Sequence, residues 1–474
     1  MLYFILVIKT KPPIKKILAF GGLALLTISL IYEIYQIGKV QFHFGQAFGR
    51  QANIVVNVNN NQGTLTPYWQ NLAQGGEETK LRFNELNSLI TKLQPKYIRI
   101  DHLYDFYNPV SKNNGKLSYD WRALDNAIDQ ILATGALPFF SLSYMPPAIA
   151  ATDIVSPPAD WNDWSSVVRA TVQHYSGRSE RNLNNVIYEV WNEPDLFGNW
   201  KLYGPKDYRT LYSYAVGGAQ KATNVNNFKI GGPAITAPYK NWVDQFLSYT
   251  IKNKIRIDFY SWHRYTTTPT DYLTDIDNVD TWLFKNGGYT LDKYLTEWGP
   301  VSNNSPLNDS VYNAAHTVAT TRLLINRADK LFTFEVYDGL SPDKKKYWGR
   351  WGLLTNPQAG PVETKSRYYA LSMLNQMKGN RVELTGEGTW VTGFATLESG
   401  KIRIILVNLD ITSRHLETFP VTINNLDKQI YQINENYLIG ADKKSTTSTV
   451  NNSITREITL GANNVVLLQL DPVE

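Results

Sequence analysis

The 474-residue chain contains no cysteine. Disulfides, thiolate nucleophiles and cysteine-bound zinc are therefore excluded, and cysteine usage says nothing about redox compartment. Histidine is scarce, with six scattered residues and no HExxH pair, so no metal site is expected. No G-x-G-x-x-G follows an early strand, which counts against a dinucleotide fold. Net charge is only +5, and no dense basic patch has nucleic-acid spacing, so nucleic acid is not an expected partner. Internal repeats of solenoid period are missing. Aromatics are abundant instead, with 13 Trp and 29 Tyr. They suit sugar stacking, and they equally suit the core of a large barrel.

One long apolar run is present. Residues 17–32 read ILAFGGLALLTISLIY without a charge, and IYQIG follows Glu33. This is close to the roughly 20 residues that span a bilayer. Lys9, Lys11, Lys15 and Lys16 precede it and few basic residues follow, which directs the N-terminus to the cytoplasm and the rest outside. No A-x-A cleavage site follows, so an uncleaved single-pass anchor in the cell membrane is expected.

Beyond a polar stretch containing NVNNNQG (57–63), helical and strand periods alternate. KYIRID (96–101), LPFFSLSYMP (137–146), NVIYEVWNEP (185–194), FKIGGP (228–233), IDFYSWHRY (257–265), KYLTEWG (293–299) and LFTFEVYDG (331–339) read as strands, each preceded by an amphipathic segment. The helix before KYLTEWG is expected only near Val279–Lys285. The opening strand is either NIVVNV (53–58) or a short run near Asn71–Gln74. Apolar strands alternating with helices predict α/β architecture, a (β/α)8 barrel. After Gly379 the pattern becomes short β-rich runs with turn signals, an all-β sandwich, in which KKSTTSTVNNS (443–453) reads as an exposed loop. The expected plan is 1–16 cytoplasmic, 17–38 transmembrane helix, 39–60 linker with room for a sandwich strand, 61–378 barrel and 379–474 sandwich. Without a Pro/Ser/Gly-rich linker, the sandwich reads as a rigid support rather than a free carbohydrate-binding module.

In such a barrel the working residues sit at the C-terminal ends of the strands. Strand four ends in Asn192-Glu193 and strand seven in Thr296-Glu297-Trp298. Carboxylates on non-adjacent strands can face each other across the mouth, as glycosidic cleavage requires of its acid and its nucleophile or base. Glu189, four residues before Glu193, points into the barrel as a paired interior charge. Glu335 reads as an ion-pair residue beneath the pocket. Trp348 and Trp351, in YWGRWG, are candidate sugar platforms.

VWNEPD around Glu193 and YLTEWG around Glu297 resemble the two active-site motifs of retaining (β/α)8 glycosidases. The match is closest to glycoside hydrolase family 39, which contains β-xylosidases, α-L-iduronidases and bacterial enzymes linked to exopolysaccharides. It covers roughly residues 60–474. The resemblance implies Glu193 as general acid/base, Glu297 as nucleophile, and Asn192 as holder of the sugar 2-hydroxyl. SWHRY is similar to the family's strand-six T-H-x-Y pattern, which implies that His263 lines the pocket and Tyr265 bonds the nucleophile. RID is similar to the strand-two R-F-H pattern, which implies that Arg99 keeps Glu297 charged, with Asp101 standing where the family has histidine. LSYMP (142–146) matches the strand-three G-F-M-P in part. Trp298 is expected as a wall of the sugar subsite. No cofactor or metal is implied. The expected partner is an oligo- or polysaccharide, in an exopolysaccharide or cell-surface glycan. A non-catalytic polysaccharide-binding protein and a transglycosylase on the same barrel are the alternatives. Sugar identity, linkage and oligomeric state are not legible.

Overall fold

The computed structural model describes residues 49–473 apart from Glu77. The expected cytoplasmic segment and membrane anchor (1–38) lie outside the described residues. Among the described residues, no helix is long and apolar enough to cross a membrane.

Eight parallel strands close into a barrel: β1 (Asn71–Gln74), β2 (Tyr97–Ile100), β3 (Leu137–Leu142), β4 (Val186–Val190), β5 (Phe228–Ile235), β6 (Phe259–Tyr265), β7 (Asp292–Gly299) and β8 (Lys330–Phe334). Each is followed by a helix: α1 (Phe83–Lys92), α2 (Arg122–Leu132), α3 (Trp161–Ser176), α4 (Tyr208–Gln220), α5 (Lys240–Lys252), α6 (Pro269–Lys285), α7 (Val311–Leu323) and α8 (Ser366–Leu374). The helical period explains how they dock. In α2, Leu124, Ala127, Ile128 and Ile131 are buried on one face. Asp160 and Asp207 cap α3 and α4 by accepting from Asn162 N and Arg209 N. Gly218 of α4 lies so close to α3 that a Cβ there would sit 2.1 Å from the Ser165 carbonyl oxygen.

Of the two candidates for the opening strand, Asn71–Gln74 pairs with β2 and β8 and closes the barrel. The other candidate belongs to a longer strand, Ile54–Thr64, in a different sheet. The boundary drawn after residue 60 therefore falls inside a strand. Helix α6 begins ten residues before Val279, with Pro269 in its first turn. Its acidic, Thr-rich start hides the apolar period.

The β-rich C-terminal region is one nine-stranded sheet. Ile54–Thr64 lies within it, antiparallel to Asn380–Thr385 and parallel to Glu417–Asn424. Val56, Ile404, Val421, Ile433, Ile458 and Leu468, from six different strands, meet in one apolar core. Ile405, Val407, Val465 and Leu467 are buried on the opposite face and join the barrel's core. Lys443–Ser448, expected as part of a loop, is an edge strand paired with Ile430–Tyr437. Its side chains are polar because it stands at the sheet margin, where exposed edges carry lysine and threonine rather than apolar residues.

Candidate active site

The barrel interior is layered. Ala73, Phe139, Ile187, Phe259, Tyr294 and Phe332 fill one apolar layer. Strand alternation then turns Arg99, Glu189 and Ser261, two residues further on in β2, β4 and β6, into the next layer. Above these come Asp101, His263 and the ends of β4 and β7. Simple alternation from Tyr294 would turn Glu297 outward. A register shift between Leu295 and Glu297 against β6 re-aims it into the mouth. At β4, Trp191 and Glu193 hold φ of 75° and 44°, left-handed values that a non-glycine residue adopts only at a cost. Glu193 N donates to the Ala234 carbonyl at 3.0 Å, which ties this strained turn to the end of β5.

Arg99 organises the floor. Its Nε donates to Glu189 Oε2 at 2.7 Å, Nη1 to Glu297 Oε1 at 3.0 Å, and Nη2 to Asn192 Oδ1 at 2.7 Å. Asn192 Nδ2 donates to Tyr144 Oη at 3.0 Å. Tyr265 Oη donates to Glu297 Oε2 at 2.9 Å. His263 Nδ1 lies 2.8 Å from Glu193 Oε1 and 3.5 Å from Glu297 Oε2. One oxygen of Glu193 and one of Glu297 lie within 4.8 Å of each other. Retaining glycosidases hold their carboxyls about 5–5.5 Å apart, inverting ones about 6.5–9.5 Å.

Burial pushes the Glu297 carboxyl above its ordinary value; His263 and Arg99 pull it back, and Glu193 pushes it up again. Burial opposes a charged His263, but Glu297 and Glu193 outweigh it, and the imidazole titrates above its usual range. Glu297 and His263 therefore hold each other's charged forms in place, carboxylate against imidazolium. Two carboxylates and an imidazole this close are also a donor set for a divalent cation.

The carboxylates open into a cavity of about 430 Å³. Of the residues singled out from sequence, Asp101, Asn192, Glu193, Tyr265, Glu297 and Trp351 line it. Arg99 and His263 are buried at its edge, bonded to the residues that do. Glu189 is the buried partner of Arg99, and Glu335 accepts from the Gln74 side-chain amide at 2.7 Å. Trp298 does not line the cavity. The shift that turns Glu297 inward sends Trp298 outward, where it is fully buried beside Tyr272 with the Arg367 guanidinium 4.6 Å from its ring centre. It is a packing residue, not a subsite wall. Trp348 also stands outside the cavity. Sequence reasoning passed over Tyr144, His102, Phe197, Thr236 and Arg264, which line it as well. Tyr144 lay in the partly matching LSYMP. Arg264 lies inside β6, next to His263 in SWHRY, and the others sit in loops or just after strands, where periodicity carries no signal.

A closed (β/α)8 barrel with facing carboxylates on β4 and β7 defines the class, a hydrolase of glycosidic bonds. The chain belongs to glycosyl hydrolases family 39, whose family model matches residues 52–387. It is therefore a glycosidase acting on O-glycosyl compounds, in a retaining family. It is 25% identical over 408 residues to a β-xylosidase of Caldicellulosiruptor saccharolyticus, covering 79% of this chain and 81% of that one. The fold is shared with a GH39 enzyme from Xanthomonas axonopodis pv. citri, at TM-score 0.77, 19% identity and coverage of 90% and 98% of the two chains. It is shared equally with a monomeric β-xylosidase from Caulobacter crescentus, at TM-score 0.77, 20% identity and coverage of 89% and 100%.

Proposed function

We propose that the chain cleaves its glycoside by double displacement, with Glu297 as nucleophile and Glu193 as general acid/base. The carrying observation is the approach of the two carboxylates to within 4.8 Å, with Glu297 held by Arg99 and Tyr265. Both donors favour an ionised Glu297 against the burial that opposes it. In the first step Glu297 attacks the anomeric carbon while Glu193 gives its proton to the leaving oxygen. In the second, Glu193 takes a proton from water, which attacks the glycosyl ester with net retention. Asn192, fixed by Arg99 and Tyr144, presents its amide to the sugar 2-hydroxyl. His263 bridges the two carboxylates and carries charge between them as the proton moves.

The proposed substrate is an exopolysaccharide or cell-surface glycan, met at a membrane to which residues 17–38 anchor the chain. The uncharged run at 17–32 and the lysines before it support the anchor. The β-xylosidase relatives make an aryl xyloside the first small substrate to test. The full-length chain is assayed on a panel of aryl glycosides and polysaccharides beside Glu193→Gln and Glu297→Gln. Wild type is expected to release sugar with retained configuration by NMR, and both variants to lose activity about 10²–10⁴-fold or more. An inverted product, or variants as active as wild type, would sink the mechanism. Recovery of the full-length chain in the soluble rather than the membrane fraction would remove the anchor.

A further inference from the structure

The loop after β8, residues 339–351, reads GLSPDKKKYWGRW. Trp351 at its end lines the catalytic cavity, so the loop stands at the rim. Its frame is fixed. Arg350 Nη1 pairs with Asp309 at 2.6 Å, Lys346 Nζ with Glu363 at 2.5 Å, and Arg350 N donates to Asn304 Oδ1 at 3.3 Å. Outward the loop presents aromatic rings and lysines, part of whose charge is balanced by Asp343 and Glu363. Lys344 is exposed, the Lys345 side chain is 80% exposed in an ion pair with Asp343 at 2.7 Å, and Tyr347, whose hydroxyl donates to Glu363, and Trp348 each keep 37% exposure. The loop after β4 repeats the combination: Leu196 and Phe197 line the cavity, and Tyr203, 70% exposed, follows the exposed Lys201. The cavity between them carries Asp101, Glu193 and Glu297 in its wall, with His102 and Arg264 beside them.

Resting on the glycosidase reading for the place of cleavage, we propose that this rim is a distal subsite for an anionic glycan. Trp348 and Tyr347 are the sugar platforms. Lys344 and Lys345 receive the carboxylate or sulfate groups of sugars that flank the cleavage point. The carboxylates of the cavity wall accept hydrogen bonds from the hydroxyls of the sugar at the cleavage point. An aromatic face gives contact area at low entropic cost, and exposed lysines give a salt-sensitive attraction to polyanions.

The test is affinity electrophoresis of the full-length chain through gels containing polygalacturonate, dextran sulfate or neutral dextran, read beside kinetics on whichever small aryl glycoside the enzyme cleaves. The Lys344→Glu/Lys345→Glu double variant and Trp348→Ala are compared with wild type. Retardation by polygalacturonate or dextran sulfate but not dextran is expected, weakening with added salt, and the two polyanions separate carboxylate from sulfate recognition. The double variant should lose most of the retardation, on the order of tenfold in apparent Kd, and Trp348→Ala part of it. Both variants should keep the small-substrate kcat/KM of wild type. Equal retardation in dextran, or retardation unchanged in the double variant, would each overturn the proposal. Because the gels read binding without turnover, failure of the catalytic reading leaves this outcome legible.

Discussion

At the scale of single residues, the two donors on Glu297 are not equivalent. Arg99 divides its guanidinium among Glu189, Glu297 and Asn192, so its loss would strip a buried carboxylate of its partner as well as the nucleophile. Tyr265 spends its hydroxyl on Glu297 alone among the bonds seen here, so Tyr265→Phe is the cleaner probe. A hydrogen bond to a charged group contributes about 1.5–3 kcal/mol, and kcat/KM is expected to fall roughly 10–100-fold. The sign of the pH effect follows from the donor's preference for the ionised form. Without Tyr265, ionised Glu297 is less favoured and its titration moves further up. The acid limb of the kcat/KM profile should therefore shift to higher pH in the variant. An unmoved acid limb would mean that the hydroxyl positions something other than the nucleophile. Glu193 and Glu297 were legible in sequence because each ends an apolar strand in a motif. Trp298 was misjudged because a one-residue register shift cannot be seen in a run such as YLTEWG, and it decides which of two neighbours faces the sugar.

At the scale of elements, strands with strict apolar alternation and helices with a clean face were read from sequence; polar elements were not. The start of α6 and the edge strand Lys443–Ser448 carry no apolar stripe, and what fixes them is backbone pairing and packing from elsewhere. Helix α7 shows another side of this. It is buried nearly all round, and His316 lies in it between Tyr272, Trp298 and Tyr312. Burial, helped by Arg367, depresses the imidazole to about 3. The folded chain therefore resists a proton that the unfolded chain accepts near 6.5. Stability from a neutral His316 is fully present above about pH 6.5 and is lost as pH falls toward 3, at about 1.4 kcal/mol per unit. Asp338, raised to about 7 mainly by burial, acts with the opposite sign, its contribution being lost as pH rises through that value. The comparison that isolates His316 is His316→Phe. Between pH 6.5 and 5 the wild type should lose about 2 kcal/mol more unfolding free energy than the variant, measured by urea titration at both values. Parallel pH slopes would show that the imidazole is already charged in the fold.

At the scale of the whole molecule, the barrel and the C-terminal sheet share both chain and core. The strand Ile54–Thr64, which precedes the barrel in sequence, is central to a sheet whose other strands all follow it. Ile405, Val407, Val465 and Leu467 of that sheet belong to the barrel's apolar cluster, and Arg322 of α7 pairs with Glu387. Cutting the chain where its composition changes therefore does not cut the fold. Removal of residues 1–64 takes Ile54, Val56 and Val58 out of the sheet core, each buried side chain contributing about 1.5–3 kcal/mol, and exposes two strands that had been paired. That loss is comparable with the whole stability of an ordinary domain, about 5–15 kcal/mol. Removal of residues 1–51 leaves the compact unit Ala52–Glu474 intact. The expected outcome is a folded chain with one calorimetric transition for the shorter deletion and an aggregating or far less stable chain for the longer one. Val56→Asp in the full chain should lower the midpoint of that same single transition, because an unpaired charge enters a core common to eight strands. If Val56→Asp instead split the melt in two, leaving the barrel transition and its activity unmoved, the sheet would be an independent module and not part of the catalytic unit.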